Sequence, residues 1–317
     1  HDTEVGLPTV PEIARMAAVC DMADTPQGTP RLPRTGRHGA GFYALDLASA
    51  YRYVVIQLLD LWCHTFMWLD ADGCVGIGVD LRLCFGGAYG PNRFERVTTL
   101  IGAFILLKQD EYDAVNPYPD PVQAWRAERR SAQRLGALAP GEAQLSPKGL
   151  RIYLDDYSGV GLLHPAPPPD DCRLLIPDAA AMRALGLTPA PLDSRLVAHA
   201  SIAARELERV GLTVATEKTM IGSSIIALGL QPDVGADTVS CPTSKRRLLL
   251  AQIRETVRLI HANSEVERKG VERLTGRLCN ISQVLPEIAA ELHGGYVVAN
   301  ARRRGGPAKG SLLARVS

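Results

Sequence analysis

Four residues constrain this chain more than any other stretch: Tyr153-Leu154-Asp155-Asp156. Two adjacent acidic residues interrupt an apolar run, with Gly149-Leu150-Arg151-Ile152 before the tetrapeptide and Tyr157-Ser158-Gly159-Val160-Gly161-Leu162 after it. A strand that buries one face does not carry two successive carboxylates through its middle, so the pair reads as the tip of a β-hairpin. Far upstream, Asp46 ends a second short apolar run, Phe42-Tyr43-Ala44-Leu45. Three carboxylates at strand ends form a hard-oxygen site suited to two Mg²⁺ ions, with Mn²⁺ as a substitute. Sites of this kind carry out in-line phosphoryl or nucleotidyl transfer. Carboxylates packed this closely repel one another, so without a cation at least one should have a raised pKa.

The 317 residues, 46% of them hydrophobic, suffice for a sizeable core and for more than one domain. No apolar run approaches the roughly 18–20 residues of a membrane-spanning helix, so no membrane partner is expected. No charged-then-apolar leader opens the chain. The seven cysteines are scattered, odd in number and never spaced C-x-x-C. That pattern speaks against a disulfide framework and structural zinc, and fits a reducing, intracellular compartment. The net charge of +1 predicts no polyanionic partner, but its distribution does. From Pro242 onward there are 14 Lys and Arg against 6 Asp and Glu, or +8, while the remainder carries 21 against 28, or −7. A basic C-terminal third is suited to tracking phosphates.

Pro, Gly and Thr dominate residues 1–40, which read as irregular or only partly folded, with Arg31, Arg34 and Arg37 among them. Strand-like runs follow, and Asp70-Ala71-Asp72-Gly73 is a hairpin turn that should pair 65–69 with 74–83. Pro91 opens a helix to Lys108 whose stripe is Phe94, Val97, Ile101, Phe104 and Ile105. Proline-rich segments at 109–148 and 164–193 read as insertions. Asp193 is a candidate cap for a helix over 194–210, with Gly211 as its stop. A strand pair is expected from 225–230 and 238–240. Beyond Pro242 the pattern is all helical, including a capping box at Ser264 and Glu267, and a third helix from Pro286. The last residues, 301–317, form a basic tail.

Several segments, in one order, resemble the reverse transcriptases, the RNA-directed DNA polymerases of retroviruses and retroelements. Asp46-Leu47-Ala48-Ser49-Ala50-Tyr51 resembles the first catalytic motif, an Asp followed five residues later by an aromatic. Leu83-Cys84-Phe85-Gly86 with Pro91 and Phe94 resembles the second, with Cys84 where the family has Pro. Tyr153-Leu154-Asp155-Asp156 resembles the third, Y-x-D-D. Leu207, Gly211 and Lys218 follow the fourth, and Leu228-Gly229-Leu230 sits where the primer-gripping hairpin begins. Leu274-Thr275-Gly276-Arg277-Leu278 with Ser282, Gln283 and Pro286 is similar to the thumb signature.

The resemblance covers about residues 40–295 and implies an α+β fold. A palm over 41–241, with an antiparallel sheet backed by helices, would carry portions of the fingers. A helical thumb would span 242–300, with partial fingers over 1–40. It implies Asp46, Asp155 and Asp156 as metal ligands. It also implies Leu47, Phe85 and Gly86 at the nucleotide, Tyr51 as the ring that excludes a ribose 2′-hydroxyl, and Lys218 as a general acid toward pyrophosphate. Gly276, Arg277 and Gln283 would lie along the duplex. The partners implied are a primed RNA or DNA template and dNTPs. The fingers are short, only about 45 residues precede Asp46, and the first residue is His1, so the chain reads as a fragment. Two other readings stay open: an inactive remnant that at most binds nucleic acid, and an RNA-directed RNA polymerase, whose third motif is usually Gly-Asp-Asp.

Overall fold

The computed structural model describes residues 9–24, 39–48, 65–82, 90–136, 146–171, 173–262, 268–285, 287–289 and 292. In chain order these form α1 (Val10–Asp24), β1 (Ala40–Asp46), β2 (Thr65–Leu69), β3 (Val75–Val79), α2 (Gly90–Val115) and α3 (Asp120–Arg134). Then come β4 (Gly149–Tyr153), β5 (Asp156–Leu162), α4 (Ala179–Ala184), α5 (Arg195–Arg209), a 3₁₀ turn (Thr216–Lys218) and β6 (Met220–Gly222). The last elements are β7 (Gln231–Asp233), β8 (Thr238–Ser240), α6 (Thr243–His261) and α7 (Arg268–Ile281). The fold is mixed α and β, and every strand pair is antiparallel. The chain divides into two compact units, one of Glu12–Ile225 with Val234–Ala236, the other chiefly Ile226–Asp233 and the chain from Asp237.

A four-stranded sheet, ordered β4-β5-β1-β6, organises the first unit. Its core-facing side carries Tyr43, Leu45, Leu150, Tyr157 and Ile221, all buried in one cluster with Phe94 and Ile105 of α2 and Leu196, Ala200, Ala203 and Leu207 of α5. Small residues on α5 let that helix lie close to the strands. Each large side chain buried here contributes about 1.5–3 kcal/mol relative to exposure. The β2–β3 ribbon is different: Met67, Leu69, Val75 and Ile77 are all exposed, and Phe66 stacks at a tilt on Trp68 with ring centroids 5.7 Å apart.

Several sequence expectations need correction. Residues 1–40 are not wholly irregular, because α1 forms there, and its acidic residues Asp21 and Asp24 accept the amides of Ala40 and Gly39 at the entry to β1. The helix from Pro91 does not stop at Lys108. It runs to Val115, so the segment 109–148 begins inside a core helix. Its buried stripe is also rotated from the expected one: Phe94, Thr98, Ile105 and Gln109 are inside, whereas Val97 and Phe104 are exposed. The cap of α5 is Ser194, whose hydroxyl accepts from the Val197 amide, and not Asp193. The segment 164–193 contains the short helix α4, capped by Asp178.

In the second unit, Thr238–Ser240 pairs with Gln231–Asp233 and not with 225–230. Residues 227–230 instead make a tight turn bridged between Ala227 and Leu230. The helices α6 and α7 pack Leu249, Ile253, Leu274, Leu278 and Ile281 into a separate small core with Leu230. The capping box at Ser264 and Glu267, and Pro286, lie outside the described residues.

Candidate active site

The register of β1 against β5 builds the candidate site. Seven consecutive pairs run from Ala40 opposite Leu162 to Asp46 opposite Asp156. Partners in an antiparallel pair project to the same face, so Asp46 and Asp156 stand side by side at the end of the sheet. The hairpin expected from the Tyr153–Asp156 tetrapeptide is present: β4 ends at Tyr153, β5 begins at Asp156, and Leu154 and Asp155 make the turn. Across the mouth, the Leu47 amide donates to the Asp155 carbonyl at 3.1 Å.

Leu154 sits at φ +56. Two-residue hairpin loops favour Gly, Asn or Asp at positive φ, and a side chain there costs of order 1–3 kcal/mol. A β-branched residue tolerates that region worst of all. Replacing Leu154 by Ile, a swap of equal volume, should therefore lower stability by about 1–2 kcal/mol, measured as a shift in denaturant midpoint with no change in slope.

The opposite flank is set by the end of α5. Gly211, at φ +83, stops the helix in a left-handed turn, and the Leu212 amide returns to the Leu207 carbonyl at 2.9 Å. The chain then runs beside the end of β1, with the Ala48 amide on the Thr213 carbonyl and the Ala215 amide on the Asp46 carbonyl. The 3₁₀ turn that follows delivers Lys218, whose Nζ lies 2.5 Å from Asp46 Oδ2. Lys218 is 63% exposed and Asp46 20%.

The electrostatics follow from crowding. Burial pushes the Asp156 carboxyl up, and the neighbouring Asp155 and Asp46 push it further, to about 6, with a hydrogen bond to Asp46 adding to the effect. Asp155 is also raised, chiefly by burial and with Asp46 contributing. Lys218 is held above its ordinary value by its hydrogen bond to Asp46. The site thus has a surplus of negative charge, eased by one tethered ammonium group. Among the described residues, no three acidic, His or Cys side chains are arranged to hold a metal ion. The structure brings Asp46, Asp156 and Lys218 into contact and puts the Asp155 turn beside them. It does not draw the three carboxylates around one point. The donor chemistry fits a divalent cation: all hard oxygens, partly buried, short of positive charge, with an ammonium already in the role of counter-ion.

Of the other expected residues, Leu47 directly follows β1, with its amide on the Asp155 carbonyl. Tyr51, Phe85 and Gly86 lie outside the described residues. Gly276, Arg277 and Gln283 belong to the second unit. A side chain added at Gly276 would meet nothing within 4 Å among the described residues. Arg277 donates to Gln252 of α6, and Gln283 donates to Asn280 at 3.0 Å.

A buried polar cluster went unanticipated. Asp113 of α2 accepts from Arg195 at 2.7 Å, Lys148 at 2.8 Å, His199 at 2.9 Å and Tyr118 at 2.9 Å. These charged side chains are at most 3% exposed. Continuing the 3.6-residue stripe from Phe94 through Thr98 and Ile105 lands on Gln109 and Asp113, and that was the available signal.

Compared with known proteins, the chain matches no protein-family model and no curated protein. Among solved structures, a foamy viral protease-reverse transcriptase in complex with an RNA/DNA hybrid is similar at a TM-score of 0.35 and 12% identity, over 80% of this chain. This chain spans 24% of the length of that one.

Proposed function

We propose that this chain carries the palm and thumb of a retroelement reverse transcriptase and performs template-directed DNA synthesis by metal-assisted nucleotidyl transfer. One observation carries the reading: the β1–β5 register that sets Asp46 directly opposite Asp156, beside the Asp155 turn and within reach of Lys218. Residues far apart in sequence, singled out by their motifs, meet at one sheet end.

Two Mg²⁺ ions held by Asp46, Asp155 and Asp156 would supply Lewis-acid stabilisation of the attacking and leaving oxygens. The chain's own groups have these tasks. Asp46 and Asp156, side by side at the sheet end, would present carboxylate oxygens to the cations. The Leu47–Asp155 backbone bond fixes the mouth of the site, so Asp46 and Asp156 are held by strand ends and Asp155 by a two-residue turn. Lys218, exposed and hydrogen-bonded only at its tip, is placed to donate a proton from Nζ to the departing pyrophosphate oxygen. In the thumb, no described residue lies within 4 Å of a side chain added at Gly276, so α7 would approach a duplex there, with Arg277 in α7 and Gln283 just beyond its end for phosphate and sugar. Tyr51 would select deoxyribose.

The test is extension of a DNA primer on an RNA template with dNTPs and Mg²⁺, with rNTPs as the control. Lys218→Ala should slow single-turnover extension by roughly 10²–10⁴-fold, the usual contribution of a general acid, while primer–template affinity stays unchanged. The absence of a preformed three-ligand arrangement among the described residues favours a second reading, a non-catalytic nucleic-acid binder. Salt-dependent binding without any extension would support that one.

A further inference from the structure

The alignment of Asp46 with Asp156 depends on a strand register, and registers slip. A shift of one residue turns every side chain to the other face and would send Asp46 into the core. A shift of two keeps the face but moves Asp46 away from Asp156 by about 7 Å. Something in this sheet must forbid both.

Midway along the seven pairs, Tyr43 lies opposite Gly159. The Tyr43 ring lies across the glycine so closely that a Cβ there would fall under 3.0 Å from Cζ, Cε1 and the hydroxyl oxygen. Tyr43 is fully buried, so its ring has no route to solvent. Its far end is pinned as well: Gln109 Nε2, from α2, donates to the Tyr43 hydroxyl at 3.1 Å and to the His199 carbonyl at 3.0 Å. Burial pushes the Tyr43 phenol up to about 12, so it stays neutral in that apolar setting.

The neighbouring positions on β5 cannot take the ring. Ser158 and Val160 carry side chains and face the other way. Tyr157, two residues back on the same face, already fills its space with a second ring. Gly161, two residues forward, has no side chain, yet the space above it is filled: a Cβ there would sit 3.3 Å from His199 Nδ1 and 3.4 Å from Leu196 Cδ1. Only Gly159 offers both a bare backbone and open room.

We propose that Tyr43, Gly159 and Gln109 are positioning residues that lock the β1–β5 register and so hold Asp46 opposite Asp156 three residues away. None of the three touches the reacting groups. The inference rests on the reading of that acidic pair as the catalytic site, but it concerns the sheet and is tested on the sheet.

The decisive measurement is amide hydrogen exchange in the full chain, comparing Leu47, whose N–H spans the mouth to Asp155, with the amides of β4. The ratio cancels any general loss of stability. Gly159→Ala should lower Leu47 protection relative to β4 by at least ~10-fold, as a local opening not shared by the β4–β5 hairpin, and should slow primer extension by a similar factor. Tyr43→Val keeps Gly159 bare but removes the ring seated on it, and should lower the Leu47 ratio as well, whereas Ile105→Ala, a truncation in the same core on α2, should not. If either Gly159→Ala or Tyr43→Val leaves the ratio at the wild-type value, or if Ile105→Ala lowers it as much, the lock is wrong. Should Gly159→Ala fail to fold, Tyr43→Val decides: a folded variant with a lowered Leu47 ratio supports the lock and one with a wild-type ratio overturns it, and should it also fail to fold, Tyr43→Phe, which keeps the ring, must fold for the lock to stand. A wild-type chain that extends no primer would end the polymerase reading alone, since the exchange ratios still judge the register.

Discussion

Asp156→Asn is expected to lower primer extension by roughly 10²–10³-fold or more, the scale on which removing one preorganised electrostatic group acts, and at the same time to make the cation-free protein more stable. The two effects share a cause. Burial and two acidic neighbours act against the Asp156 carboxylate, so the site is strained until positive charge arrives. An amide of the same shape removes the repulsion and keeps the hydrogen bond to Asp46. Thermal melting in the presence of a chelator should therefore show a higher Tm for the variant, and added Mg²⁺ should narrow the gap by stabilising only the wild type. A variant that lost activity and also melted earlier would point to a damaged fold and not to a missing ligand. Asp46→Asn should behave alike in activity but not in stability, because it also discards the partner of Lys218.

The second large effect lies away from the site. Asp113→Ala should destabilise the first unit by roughly 3–5 kcal/mol, the cost of leaving buried charges without their partner, measured by chemical denaturation. Arg195 and Lys148 would both lose their buried acceptor, although Lys148 keeps Asp110 at 2.8 Å and Arg195 keeps the carbonyls of Asn116 and Pro117. The same cluster sets an acid response. Burial works to raise the Asp113 carboxyl, but the His199 ring and the Lys148 ammonium overcome it and hold it well below the usual carboxylate range. A depressed carboxyl contributes stability above its unfolded value, about 4, that is lost as pH falls through the folded value. Burial lowers the His199 pKa, with Lys148 and Arg195 assisting against the pull of Asp113. On unfolding the ring is free to bind a proton, so its share of stability is lost as pH falls below about 6.5. Stability should thus decline in two stages on acidification. His199→Gln should flatten the first stage and weaken the second, because it removes one of the groups that hold Asp113 down.

Much of this architecture was legible in the residues. The Tyr153–Asp156 hairpin followed from two carboxylates that no buried strand could hold. The end of α5 followed from Gly211, and the β2–β3 ribbon from its Asp-Gly turn. The errors share a physical origin. Asp193 and Ser194 are both good caps, and only the entry angle of the chain decides between them. The reach and rotation of α2 were misjudged because Thr98, Gln109 and Asp113 are polar residues on an inward face. Gln109 and Asp113 are buried with partners from β1, from α5 and from Lys148 just before β4, which no local window contains. At the site itself, the meeting of Asp46 with Asp156 was foreseen, and so was a carboxyl with raised pKa. The role of Lys218 as a contact of Asp46 was not, since a lysine after a helix stop announces no partner.

That contact has a consequence for how the protein is made. A cluster of like charges at a sheet end would ordinarily oppose closure of the strands until an ion was captured from solution. With an amine tethered on the adjoining turn, a nascent chain carries its own neutralising group, so assembly of the β1–β5 edge need not wait on the supply of divalent salt. Were a divalent cation to load, it would do so by exchange on a finished scaffold, displacing the lysine from Asp46.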